Sequence, residues 1–186
     1  MAGDARQRMI EGAVRLLAQR GLQATSFTEV LEATGASRGS IYHHFPGGKD
    51  ELVAEALALA GSRAITALDT VAGSSPVEVT AFFLDMWRRL LTYSKFGAGC
   101  SVLAVTVATD SADLLTETAG IFRAWRTRLA ELFEQGGLSP KQASQLAAML
   151  VATSEGAVVL ARAEKSIEPF ATVADQLLEL AGQMQG

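Results

Sequence analysis

Cysteine occurs once in the 186 residues, histidine twice and proline four times. A lone cysteine cannot close an intrachain disulfide, so the fold must rest on a hydrophobic core, and a reduced thiol suits a cytoplasmic setting. The two histidines are neighbours, His43 and His44. Adjacent helical positions point about 100° apart, a poor arrangement for holding one metal ion, and no other imidazole is left for acid–base work. No Ser/His/acid order, metal-ligand spacing, phosphate loop or dinucleotide fingerprint is present, which argues against an enzyme and implies neither cofactor nor metal. Residues 1–12 lack the apolar run of a signal peptide, and no stretch reads as long and uncharged enough to cross a bilayer. A soluble cytoplasmic chain with no membrane partner is expected. Basic excess is missing as well: a net charge of −4 excludes indiscriminate coating of nucleic acid. It leaves room for one basic docking face.

What the chain has is apolar and helix-forming. Hydrophobic residues make up 49% of it, and the scarcity of proline leaves long runs where helices are unbroken, so an all-α fold of about nine helices is expected. Between Asp4 and Arg20, Ile10, Val14 and Leu17 share one helical face with Ala13 and Leu16 beside it, and Gly21 stops the helix. From Lys49 a long helix runs to about Val71, with Asp50 and Glu51 matching the dipole in its first turn. Ser75-Pro76-x-Glu78 and Ser139-Pro140-x-Gln142 each combine a cap, a first-turn proline and a capping-box partner, and so each predicts a helix start. Between them, Phe96-Gly97-Ala98-Gly99 is a break. The segment from Cys100 to Thr109 favours strand by propensity, but a lone strand has nothing to pair with, and a short buried helix is expected. Another helix follows Asp110-Ser111, and the last begins near Glu168-Pro169.

The stretch from Thr25 to Lys49 is the most informative. Ser26 and Glu29 have the spacing of a capping box, in which each side chain satisfies the other's free N–H. Val30 and Leu31 give an apolar edge and Gly35 a left-handed stop. Ser37 is placed to cap a second short helix in which only Ile41 and Phe45 form an inward stripe. The other positions offer donors, cations or aromatic edges, and Gly39 offers a bare spot. Short helix, glycine turn, short helix is the helix-turn-helix plan, whose second member lies in the DNA major groove. A groove-reading helix needs donors for phosphates and base edges and a place where the backbone comes close.

With Gly35, Ser37, Gly39, Tyr42, Phe45 and Lys49 in register, residues 25–52 resemble the DNA-binding head of TetR-family transcriptional regulators. The GAGC segment (97–100) and the SIEPF segment (166–170) are similar to the LmrA/YxaF-like branch of that family, which regulates multidrug resistance genes. The resemblance implies a helix-turn-helix DNA-binding domain over 1–48 and a C-terminal ligand-binding and dimerisation domain over 49–186. It also implies a repressor released from its operator by a small hydrophobic or aromatic effector. In such a head, Arg38 is the candidate for a bidentate guanine contact. Ser40 and His43 reach base edges, and Gly39 permits close approach. Tyr42, His44 and Lys49 grip phosphates, while Ser26, Thr28 and Ser37 offer hydroxyls at helix starts. His43 departs from the tyrosine common in relatives, which leaves the base it reads open. Arg6 and Arg8 stand as backbone contacts or as solvated charges.

In the C-terminal part, Phe83, Met86, Trp87, Tyr93, Phe96, Cys100, Phe122, Trp125 and Met149 are candidates for a greasy ligand pocket, and each one alone is as readily ordinary core. Glu155, in a nearly uncharged run, is its candidate polar handle or a partner for Arg162. The last two helices carry apolar faces larger than one chain can cover. With Ala147, Ala148, Ala152, Gly156 and Ala157 small enough for close approach, they are the expected homodimer surface. The rival to a ligand-responsive regulator is a helical protein-interaction module without a small-molecule effector.

Overall fold

The computed structural model describes residues 2–185, with side chains from Ala5 onward. Among the described residues there are nine helices and no strand: α1 (Ala2–Arg20), α2 (Phe27–Thr34), α3 (Arg38–His44), α4 (Lys49–Asp69), α5 (Pro76–Tyr93), α6 (Ser101–Thr106), α7 (Ala112–Gln135), α8 (Pro140–Glu164) and α9 (Glu168–Gln185). They form two compact units, residues 1–62 with 100–121, and residues 63–99 with 122–186. The first part of α4, all of α6 and the first part of α7 group with α1–α3 in the first unit.

In the first unit α1 packs against α2, α3 and α6. Its inward stripe is Met9, Ile10, Ala13, Leu16 and Leu17, all buried, whereas Val14, expected in that stripe, is half-buried. Val30 and Leu31 from α2, Ile41 and Phe45 from the α3 region and Leu52, Val53, Ala56 and Leu57 from α4 complete the core. Gly12 sets the approach of α1 to α2, because a Cβ there would lie 2.5 Å from Thr34 Cγ2. α6 is a six-residue helix as expected, with Ser101, Val102 and Val105 buried. Burial against α1 overrides the strand preference of its valines.

The second unit is built on the mutual packing of α5, α8 and α9. Phe83, Leu91, Leu129, Phe133, Leu146, Leu150, Val158, Phe170 and Leu177 meet in one core. Both proline-marked starts form full capping boxes, Ser75 with Glu78 on α5 and Ser139 with Gln142 on α8. Two hydrogen bonds from Ser75, backbone first, hold the Glu78 carboxyl below its usual pKa. The chain leaves α5 through two left-handed non-glycine residues, Lys95 (φ 51°) and Phe96 (φ 62°), an uncommon backbone region for such side chains. Space then requires the first of the following glycines and crowds the second. A Cβ on Gly97 would sit 2.9 Å from the Ser94 carbonyl, and one on Gly99 2.8 Å from the Arg162 guanidinium. Arg162 also donates to the Gly97 carbonyl at 3.4 Å.

α8 departs from the expectation that no stretch is long and apolar enough to cross a bilayer. By length and composition α8, 25 residues long, is apolar enough to cross a membrane, with half of its most apolar window buried inside the protein. Between Lys141 and Arg162 its only charged residue is Glu155.

Candidate nucleic-acid interface

The head positions its short helices through caps and two anchors. Ser26 adopts extended backbone, and its Oγ accepts from the Glu29 N–H at 3.2 Å. The expected reciprocal half of that box is absent: the Glu29 carboxylate instead accepts from Arg20 Nη1 at 2.7 Å, tying the start of α2 to the last turn of α1. Gly35 takes the left-handed conformation at φ 67° and returns its N–H to the Leu31 carbonyl. Ser37 occupies the N-cap of α3 without using its side chain, which corrects the expectation of a hydroxyl cap. The first bond of α3 is backbone only, from Ser40 N–H to the Ser37 carbonyl, so the exposed Ser37 hydroxyl is left for other partners.

α3 is held by Ile41 (0% exposed) and Phe45 (1% exposed). With these two inward, Arg38, Gly39, Tyr42 and His43 are exposed, while Ser40 and His44 are half-buried. Nothing lies within 4 Å of a Cβ built on Gly39, so that notch is open. Thr28 is exposed on α2. The row Arg38, Gly39, Tyr42, His43 is therefore an unobstructed strip of donors around a bare backbone position, the composition a major groove accepts.

Two cations behave differently from their neighbours. Lys49 is half-buried, and its Nζ donates to the Leu22 carbonyl at 2.8 Å, bridging the start of α4 to the end of the α1 region. The turn ahead of it is closed by Gly47 N–H donating to Glu51 Oε2 at 2.7 Å. Arg6 pairs with Glu55 of α4, and its guanidinium lies 5.2 Å from the Phe45 ring centroid. Arg6 thus secures the base of α3. The sequence reading did not single out Phe27, whose ring meets Tyr42 edge-on with centroids 5.3 Å apart. A single aromatic at a helix start carries no periodic signal, and only the fold shows what it touches.

Of the ligand candidates in the second unit, Phe83 and Trp125 are buried, and Met86, Trp87, Phe96 and Phe122 are half-buried. Phe83 packs edge-on against Trp87 and Phe122 against Trp125. Glu155 is 7% exposed. Tyr93 is 84% exposed. Met149, at 47% exposed, opens on a groove of about 380 Å³ between α8 and α9 with Thr153, Thr172, Val173, Leu177 and Leu180. In the first unit, the buried Cys100 caps α6, its Sγ accepting from the Leu103 N–H at 3.3 Å. Of the small residues expected on a dimer face, Ala147 and Ala157 are buried within the chain. Ala152 and Gly156 are exposed, and Ala148 is half-buried.

Comparison with known proteins converges on this geometry. The profile described as "Bacterial regulatory proteins, tetR family" matches residues 9–56. That described as "Transcriptional regulator LmrA/YxaF-like, C-terminal domain" matches residues 76–176. The chain is 35% identical over 182 residues to the uncharacterized HTH-type transcriptional regulator Rv0196 of Mycobacterium tuberculosis, covering 94% of this chain and 93% of that one. It is 26% identical to the HTH-type transcriptional regulator LmrA of Bacillus subtilis, covering 96% and 97%. Among solved structures, regulatory protein TetR from Rhodobacter sphaeroides superposes with a TM-score of 0.84 at 24% identity, over 95% of this chain and 98% of that one. A TetR transcriptional regulator from Chloroflexus aurantiacus superposes with 0.80 at 25% identity, over 98% and 96%.

Proposed function

The chain belongs to the TetR family of helix-turn-helix transcriptional regulators, with an LmrA/YxaF-like C-terminal domain, and from that premise we propose that it is a repressor that binds operator DNA as a homodimer and leaves it when a small hydrophobic molecule binds. The observation that carries the DNA half of this reading is the outward strip of α3. Arg38, Tyr42 and His43 project from a helix whose Ile41 and Phe45 are locked inward. Arg38, in the first turn, reads a guanine. Ser40 and His43 read neighbouring base edges over the Gly39 notch. Tyr42, His44, Lys49 and the exposed hydroxyls of Thr28 and Ser37 take phosphates. Ser26 acts indirectly, by fixing the start of α2.

Two heads are needed because one short helix offers few contacts, and a dimer matches a near-palindromic site with half-sites about 34–36 Å apart. The surface for that pairing is formed by the last two helices, with α8 contributing Met149, Ala152, Gly156, Val159 and Leu160: none of these side chains is charged, and the large ones are half exposed. The effector half rests on the aromatic set of the second unit, Phe83, Met86, Trp87, Phe96, Phe122 and Trp125, with Glu155 as its polar group. Release requires that the ligand favour the form unable to bind DNA, and a coupling of about 1–3 kcal/mol weakens operator binding several-fold to about a hundredfold. The roles of 1–48 in DNA binding and 49–186 in sensing and pairing belong to the same proposal.

Selection of bound DNA from a random pool tests the core of the reading. Recovery of a near-palindromic word whose affinity drops with hydrophobic amphiphiles, in parallel with a saturable change in Trp87 and Trp125 fluorescence, is the expected result. Enrichment of a word without any saturable fluorescence change would instead favour a regulator that answers to a protein partner.

A further inference from the structure

We propose that Phe27 is a positioning residue for DNA binding: it never touches the duplex but holds the Tyr42 ring where its hydroxyl meets a phosphate. The inference rests on the DNA-binding reading of α3 given above. Helical side chains lean toward the N-terminus and rest on the preceding turn. For Tyr42 that turn holds Arg38 and Gly39, and Gly39 has no side chain and open space around it. The notch that admits DNA therefore removes the floor on which the tyrosine would lie. Tyr42 is 66% exposed, and a ring so placed changes rotamer freely unless something fixes it.

Phe27 supplies that support from the neighbouring helix. Its ring stands 76° to the plane of Tyr42 with centroids 5.3 Å apart, the edge-to-face arrangement aromatic quadrupoles favour. The position of Phe27 is itself determined. It is the first residue of α2, directly after a cap whose Ser26 Oγ accepts from the Glu29 N–H and whose Ser26 carbonyl accepts from the Val30 N–H. Glu29 is tied in turn to Arg20 on α1. A chain of fixed contacts thus runs from α1 through the start of α2 to the one large aromatic that α3 exposes. Phe27 has no polar atom on its side chain with which to bind a phosphate itself, and the ring it meets is that of Tyr42.

The test is a double-mutant cycle on the full chain with its selected operator, read by fluorescence anisotropy. Tyr42→Phe removes the hydroxyl and keeps the ring. Phe27→Leu removes the ring partner and keeps apolar bulk. Each single change is expected to weaken binding by about two- to tenfold, equally on operator and unrelated DNA, because a phosphate contact carries no sequence information. In the Tyr42→Phe background, Phe27→Leu should produce no further loss, and in the otherwise wild-type protein Phe27→Tyr, which keeps the ring partner, should retain wild-type affinity. A second readout needs no DNA. The chain has two tyrosines, so selective tyrosine labelling gives two sets of ring signals by NMR. Phe27→Leu should shift those of Tyr42 and leave Tyr93 in place. Full additivity of the two losses, or a Phe27→Leu protein with an unshifted Tyr42 signal, overturns the positioning role. Loss of affinity in Tyr42→Phe but not in Phe27→Leu overturns it as well while leaving the interface reading standing. Unchanged operator binding by Arg38→Ala would instead remove the interface reading itself.

Discussion

The ammonium of Lys49 is already engaged in the DNA-free protein, 2.8 Å from the Leu22 carbonyl. A lysine proposed to take a phosphate must therefore either leave that carbonyl or share its three donors. Replacing it tests both roles at once. Lys49→Met should lower stability by about 1.5–3 kcal/mol, the range for a hydrogen bond to a charged group. It should also weaken binding to every DNA sequence and reduce the salt slope by about one. A melting temperature that falls with an unchanged salt slope would mean the ammonium stays on Leu22 when DNA is bound. Arg38 stands apart because it is exposed at the start of α3. Arg38→Ala should leave the melting curve in place and cost about 1–3 kcal/mol of discrimination at one base pair. In a gel shift the operator and a point-mutated operator would then run alike.

Elements obey rules that were more legible than residue roles. Ser75 and Ser139 each combine a cap, a proline and a partner three residues on, and both boxes form in full. Ser75→Ala should cost about 1 kcal/mol of unfolding free energy. The Glu78 half of that box is pH-dependent. Its folded pKa is depressed by the Ser75 hydrogen bonds, so its contribution is complete above the unfolded carboxylate value and is lost as pH falls through the folded one. Thermal melts of the wild type and Glu78→Gln should accordingly differ at neutral pH and converge in acid. At Ser26 the same motif formed only half, because Arg20 competes for Glu29 across the α1–α2 contact. Local spacing cannot reveal a rival donor that the tertiary fold brings in. The short α6 was inferred correctly against strand propensity, since no second strand was available. Its place beside α1 depends on a pairing distant in sequence. Met149, a ligand candidate for its apolar side chain, lies on a groove between α8 and α9. Which of several apolar faces a helix buries is decided by its neighbours.

At the scale of the whole molecule, α8 carries an economic puzzle in its sequence. Gly156 lies in the interior of a long helix, is exposed, and has nothing within 4 Å of where its Cβ would be. Within one chain such a glycine costs about 1 kcal/mol relative to alanine and provides no packing in return. In the proposed dimer a second helix crossing closely over Ala152 and Gly156 would account for it, with Met149, Val159 and Leu160, each about half exposed, filling the space to either side. The two situations predict opposite signs for one substitution. For an isolated chain, Gly156→Ala should raise unfolding free energy by about 0.5–1 kcal/mol. In the proposed dimer the same methyl intrudes on the crossing, so the dimer should dissociate at higher protein concentration and operator binding should weaken with it. Leu160→Glu should go further, giving a folded monomer by sedimentation that holds DNA only weakly, since a single head cannot span two half-sites. A Gly156→Ala protein that is more stable and dimerises as tightly as the wild type would place the two-fold contact elsewhere, because a helix crossing there has no room for the added carbon.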